Sequence, residues 1–295
     1  MIRYGVVVFS LAALLGGCQQ DKQTPAWDKG RDQVKPVEPR AGAAGQPSAP
    51  AGSLEERVAR LERRLDKVTG FLKQAVRPEL DTSVAYAVPL DPSDPVIGKS
   101  DAKVTIVEAY EYQCPYCQMV APTVEKILEE YPNDVRVAHK YFLIHGAPAK
   151  PSGQGACAAG KQGKFAEFNK MAFAKIWPNP GQPPNKDELT AEAMERNAAA
   201  LGLDVAKFKA DFAGECSEWV DRSGRTLQQF GAGGTPSFYI NGRFVQAGDM
   251  GAFKRVIDEE IKKVNESGVK PSEYYEKIVI GQGEKQAKMI SPFDE

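Results

Sequence analysis

Hydrophobic and polar positions divide this chain into segments of distinct period. Lys103-Val104-Thr105-Ile106-Val107-Glu108-Ala109-Tyr110 is a β-branched and aromatic run that predicts a buried strand. Gln118 to Glu130 then carries Met119, Val120, Val124, Ile127 and Leu128 at helical spacing, and Val135 to Phe142 reads as a second strand. Four further segments have a helical pattern: Gly155 to Phe173, Asp187 to Leu201, Asp204 to Phe212 and Ser217 to Phe230. Ser237 to Ile240 returns to strand, and Asn241-Gly242 predicts a tight hairpin turn into Arg243-Phe244-Val245. The class is α/β. Nearer the N-terminus, Leu54, Val58, Leu61, Leu65, Val68, Leu72 and Ala75 recur at alternating steps of four and three, a heptad seam. Ser53 and Glu56 open it with a capping-box signature, and Arg57 and Glu62 fall where parallel chains pair charges. The segment 53–77 therefore reads as a short coiled coil that makes a homo-oligomer, or else as one amphipathic helix docked on its own domain.

The first quarter of the chain has a different character. Met1 to Gly17 has a positive start at Arg3, an apolar run from Val6 to Leu15, and small residues before Cys18. That run is too short to span a bilayer and reads as a signal peptide. Leu15-Gly16-Gly17-Cys18 resembles a bacterial lipobox, which implies a lipid anchor on Cys18, the alternative being cleavage without lipidation. Gln19 rather than aspartate after Cys18 favours outer-membrane sorting under the common enterobacterial rule. Residues 18–52 are rich in Pro, Ala, Gly and charge and lack apolar periodicity, so they are expected to form a disordered tether. Residues 282–295 are read as a tail.

The chemistry concentrates at Cys114-Pro115-Tyr116-Cys117, between the first strand and its helix. A thiol at a helix N-terminus faces unpaired N–H groups and the positive end of the helix dipole, which favour the thiolate that attacks disulfides. Half a zinc site is the competing reading of Cys-x-x-Cys. It fails because tetrahedral zinc needs two more ligands and the chain has no second such pair; His139 in its strand reads as merely packed or solvated. No metal and no cofactor are expected.

A second motif, Gly233-Gly234-Thr235-Pro236-Ser237, places a proline at the head of a core strand, where it cannot donate to the ladder; this predicts a special turn with a cis Thr235–Pro236 bond. Together the two motifs resemble the thioredoxin-fold thiol–disulfide oxidoreductases of the DsbA type, over residues 84–281. In these the redox pair faces a cis-proline loop and a helical domain is inserted into the fold, here at about 150–230. The 118 residues between Cys117 and Pro236 match that insertion and exclude the small glutaredoxins, which share Cys-Pro-Tyr-Cys.

The resemblance implies roles. Cys114 is the exposed nucleophile, Cys117 the buried resolving thiol, and Glu108 a buried acid that relays protons to Cys117, with Lys140 as its candidate partner. Pro115, Tyr116, Thr235 and Pro236 contact the client, and Pro122 kinks the helix. Pro115-Tyr116 and Thr235 resemble the oligomeric isomerase-like members, whereas the strongest oxidants carry histidine at the Tyr116 position. Cys157 and Cys216 remain in the insertion; some relatives carry a structural disulfide there, the alternative being two buried thiols.

Composition excludes other classes. Net charge is −1, from 38 basic and 39 acidic residues intermixed, and no basic tract or nucleotide loop occurs, so no nucleic-acid partner is expected. The expected activity is oxidation or isomerisation of disulfides in secreted or envelope proteins. The expected location is the periplasmic side of a bacterial envelope, with client proteins and a membrane redox recycling partner. The alternative is a non-catalytic oligomeric lipoprotein that uses a thioredoxin-like domain to bind partners.

Overall fold

The computed structural model describes residues 52–75, 78–179, 181–246 and 250–291. The expected signal peptide, the expected lipid site Cys18 and the expected tether up to residue 51 lie outside the described residues. Contacts divide the chain into two units, 1–65 and 66–295. Helix α1 (Leu54–Ala75) is capped as the sequence predicts: Glu56 N donates to Ser53 Oγ at 3.3 Å and Ser53 N to Glu56 Oε2 at 3.0 Å. The described side chains of its seam are exposed, Leu54 by 72%, Leu61 by 62% and Leu65 by 65%.

In the second unit the chain forms β1 (Glu79–Leu80), β2 (Val96–Gly98), β3 (Val104–Tyr110), α2 (Pro115–Glu130) and β4 (Val135–Tyr141). Helices α3 (Lys150–Gly160), α4 (Phe165–Ile176), α5 (Ala191–Ala200), α6 (Val205–Ala213) and α7 (Glu215–Gln229) follow before the chain returns to the sheet. It closes with β5 (Ser237–Ile240), β6 (Arg243–Gln246), α8 (Met250–Glu266), α9 (Pro271–Tyr274) and β7 (Met289–Ile290). The main sheet has the order β2-β4-β3-β5-β6, with β3 parallel to β4 and the other neighbours antiparallel. The fold is α/β, with the helical domain inserted between β4 and β5.

Two of the expected helices are broken. The segment 155–173 divides into α3 and α4 at Gly160 and Gly163, the latter at φ 71°, a backbone that glycine adopts freely. The segment 187–201 begins instead with a 3₁₀ turn, Lys186–Leu189, before Thr190 caps α5. The tail is also more than a tail: β7 pairs with β1.

Side-chain alternation along β3 decides what lies under the redox motif. Val104 and Ile106 point into a core with Val120, Val124 and Ile127 of α2, and Glu108 and Tyr110 continue that face by the period of two. The β3–β4 register sets Val135, Val137, His139 and Tyr141 beside them. Thr105, Val107 and Ala109 face the other side, where Val107 and Ala109 pack with Leu227, Tyr239 and Tyr275. The hairpin tip is fixed by Asn241 and Gly242 at φ 43° and 82°, and Asn241 Oδ1 accepts the Thr105 N–H at 2.9 Å. This contact ties β5 to the start of β3.

Candidate active site

The β3–β5 pairing ends at Ala109 and Ser237, so the residues after β3 and before β5 leave the sheet at the same end. Cys114 and the Thr235–Pro236 bond, which is cis, meet there. Cys114 caps α2, with Pro115 in the first turn, where its missing N–H costs nothing. Its Sγ lies 3.2 Å from the Thr235 carbonyl oxygen. The sulfur is held as thiolate near pH 6 by hydrogen bonding from the Cys117 thiol first, against burial, with the Thr235 side chain and the Cys117 and Tyr116 N–H groups adding to it. The buried Thr235 hydroxyl has no hydrogen-bond partner at its resting position. Cys117, one turn into the helix, has its thiol pushed far up by burial and by the neighbouring Cys114. The two sulfurs are thus strongly differentiated.

One expectation is corrected. Cys114 is not exposed: only 2% of its surface is open, because it joins the core that the inserted helices build with Tyr110, Tyr112 and Phe168. The exposed groups at and just after the motif are Pro115, Tyr116 and Met119, the last two at 66% and 67%. Trp177 Nε1 donates to the Tyr112 carbonyl at 2.8 Å, which braces the segment leading into Cys114.

Beneath α2, Glu108 is buried, and burial pushes its carboxyl up to about 8. Its neighbour is His139, whose Nε2 is 3.3 Å from Glu108 Oε2. Burial drives the His139 imidazole down to about 4. Burial thus favours the neutral form of both groups, so the contact brings together two neutral groups rather than an ion pair.

The thioredoxin family model matches residues 90–259, more than half of the chain and all of the site just described. The chain belongs to the thioredoxin family. Its fold is the DsbA-like form, with α3 to α7 as the insertion. A Bacillus cereus protein, "Probable disulfide bond formation protein D", is 30% identical over 174 residues, covering 57% of this chain and 78% of that protein. The Na(+)/H(+) antiporter NhaA 3 of Salinispora tropica is 32% identical over 167 residues, covering 53% of this chain. The chain spans only 23% of the antiporter's length. A thioredoxin-like oxidoreductase from Silicibacter pomeroyi superposes with a TM-score of 0.50 at 27% identity, covering 58% of this chain and 94% of that one.

Elsewhere in this thioredoxin domain, Lys140 does not reach Glu108. It stands opposite Ala109, one residue out of step, so its side chain leaves by the other face of the sheet. There its Nζ meets Asp94 Oδ2 at 2.6 Å, and Trp219 Nε1 donates to Asp94 Oδ1 at 2.8 Å. Pro122 sits inside α2, which continues through it. Cys157 and Cys216 are joined by a disulfide of 2.03 Å between α3 and α7. Two groups escaped the sequence reading. His139 was set aside as a lone strand histidine, although it stands four residues into β4, as Glu108 does into β3, and that count alone pairs them in a parallel register. Glu111, fully buried, accepts the Ile144 and His145 N–H groups at 3.1 Å each and contacts His145 Nδ1. An acid three residues before Cys114, among aromatic residues, was its visible signal. Among the described residues no helix is long and apolar enough to cross a membrane.

Proposed function

We propose that this protein is a protein disulfide oxidoreductase of the bacterial envelope, exchanging disulfides with client proteins through Cys114 and Cys117. The observation that carries the reading is the pairing of a thiol favoured as thiolate near pH 6 at a helix N-terminus with a partner sulfur held protonated, both beside Thr235 and cis-Pro236. Cys114 attacks or is attacked, a mixed disulfide forms with the client, and Cys117 closes or opens the pair. Glu108 exchanges the proton that Cys117 takes up or gives off. Pro115, Tyr116, Thr235 and Pro236 border the client, whose extended segment adds to the exposed backbone before β5. Tyr116 and Met119 give that border apolar area. The relatives' names, a disulfide bond formation protein and a thioredoxin-like oxidoreductase, agree with this chemistry.

Within that activity we favour an oligomeric, isomerase-type enzyme, lipid-anchored at Cys18, sorted to the outer membrane and served by a membrane redox recycling partner. The exposed leucines of α1 support the oligomer. Insulin reduction by dithiothreitol tests the activity: the protein should accelerate it, and Cys114→Ser should lose the acceleration completely. Equal turbidity traces with and without protein would remove the reading.

A further inference from the structure

We propose that His139 is a positioning residue for the proposed exchange, holding the neutral carboxyl of Glu108 oriented as the proton donor and acceptor of Cys117. The inference rests on the function proposed above and adds to it a group that neither the redox motif nor the cis-proline motif contains.

The imidazole hydrogen-bonds the backbone of Pro95 and of Val137 and meets Glu108. Its Nδ1 is 3.3 Å from the Pro95 carbonyl oxygen, and its Nε2 is 3.3 Å from Glu108 Oε2. A carbonyl oxygen only accepts, so Nδ1 carries the hydrogen. A neutral imidazole has one N–H, which leaves a lone pair on Nε2. The Glu108 carboxyl must then donate, and a carboxyl donates only when protonated. The proton order is therefore carboxyl O–H to Nε2, then Nδ1–H to the carbonyl. Burial enforces the same state from both sides, since between about pH 4 and pH 8 neither group is charged.

The surroundings suit a proton store. Tyr110 stacks edge-on with His139, ring centroids 5.6 Å apart, and Phe165 lies at 4.6 Å, so the ring is held by packing. Cys117 on α2 feels the Glu108 charge, as do Tyr110 and Tyr112. A cleft of about 350 Å³ between α2 and α4 borders both Glu108 and His139, and Glu125, Glu129, Glu167 and Lys170 also line it. Two polar atoms there, Tyr110 Oη and Asn169 Oδ1, are buried without a protein partner. A cleft of this size, with these polar groups along an otherwise largely apolar wall, has room for several waters and connects the pair to solvent.

The step balances as follows. A client thiolate attacks Cys114 Sγ of the Cys114–Cys117 disulfide; the client–Cys114 bond forms, the Cys114–Cys117 bond breaks, and its electron pair leaves on Cys117 Sγ. Cys117 takes the Glu108 proton, and the carboxylate regains one from solvent. Closing the pair runs the same transfers backwards. His139 keeps the carboxyl aimed and favours its return to the protonated form, because a hydrogen bond from the neutral form favours that form.

Nitrogen-15 spectra of the unaltered protein decide the proton order, and with two histidines in the chain the assignment is short. His139 is expected as the Nδ1–H tautomer, uncharged at pH 7; an Nε2–H or a cationic ring overturns the proposal. Reduction of the oxidised protein by dithiothreitol, with rates divided by the reagent's thiolate concentration, supplies the functional arm. The profile is expected to bend near pH 8 and to lose the bend in Glu108→Gln. His139→Phe keeps the ring packing but removes the acceptor, so the bend should move about one unit lower, and His139→Gln should restore most of it. A bend unmoved in His139→Phe refutes the positioning role. Failure in the insulin assay with the Nδ1–H tautomer present would instead defeat the function and leave the pair intact.

Discussion

At the scale of single residues, the activity turns on how far the Cys114 thiol is pulled from its ordinary range. Its pKa falls from 9.0 to about 6, so the reduced folded form gains stability that is fully present above pH 9 and lost as the pH drops through 6. At pH 7 that amounts to about 1.4 kcal/mol at most, or about 30 mV towards a more oxidising disulfide. This is a moderate push, in keeping with Tyr116 standing where a cationic donor would push harder. The Thr235 hydroxyl is buried without another partner and helps lower the Cys114 thiol, and its removal is sterically mild. Alkylation of the reduced protein by iodoacetamide should therefore titrate near pH 6, and Thr235→Val should raise that midpoint by about half a unit to one unit. A rate in the unaltered protein that still climbs between pH 8 and 9 contradicts the assignment, and an unmoved midpoint in Thr235→Val removes the hydroxyl from it. Because Cys114 is almost fully covered, absolute rates should lie below those of a free thiol at equal thiolate fraction.

At the scale of elements, local pattern was legible and spatial pairing was not. The strand before Cys114, the helix after it, the hairpin at Asn241-Gly242 and the capping box at Ser53 each follow from residues close in sequence, and the structure has all of them. The family resemblance then supplied the sheet and the insertion. What failed needed register or burial. Lys140 and His139 are adjacent in sequence but lie on opposite faces of β4, and only the alignment with β3 says which one Glu108 meets. The accessibility of Cys114 failed for a related reason: the inserted helices that cover it come from residues far along the chain. Those helices give the prediction at this scale. The Cys157–Cys216 bridge ties α3 to α7 across a separation of 59 residues, a closure worth about 4 kcal/mol in the chain-entropy account. The double replacement Cys157→Ala, Cys216→Ala should lower the midpoint of urea unfolding while leaving the iodoacetamide midpoint of Cys114 unchanged. Equal urea midpoints would mean that the bridge contributes nothing measurable.

At the scale of the whole molecule, the direction of exchange depends on what the N-terminal helix does. An isomerase must hold a misfolded client while its thiolate attacks wrong disulfides, and several active sites around a shared cleft raise the local concentration of that thiolate. In the proposed oligomer such sites would also shield reduced Cys114 from recycling enzymes shaped for monomers. The seam from Leu54 to Leu72 offers such an assembly: its side chains repeat on the heptad and are exposed, and leucine and valine faces of that kind are stable in water when another helix covers them. The seam is only about three heptads long, so association should be concentration-dependent. The chain from Ser53 onward is expected to sediment as a dimer or trimer at tens of micromolar and to reactivate scrambled ribonuclease. Leu61→Lys with Leu65→Lys places four positive charges or more at the seam of any oligomer and should yield a monomer. That monomer should retain insulin reduction, because Cys114, Cys117 and Thr235 lie in the second unit, and should lose most of its ribonuclease reactivation in favour of simple oxidation. If the unaltered chain sediments as a monomer, the helix is a docking element and oxidation becomes the favoured direction of exchange.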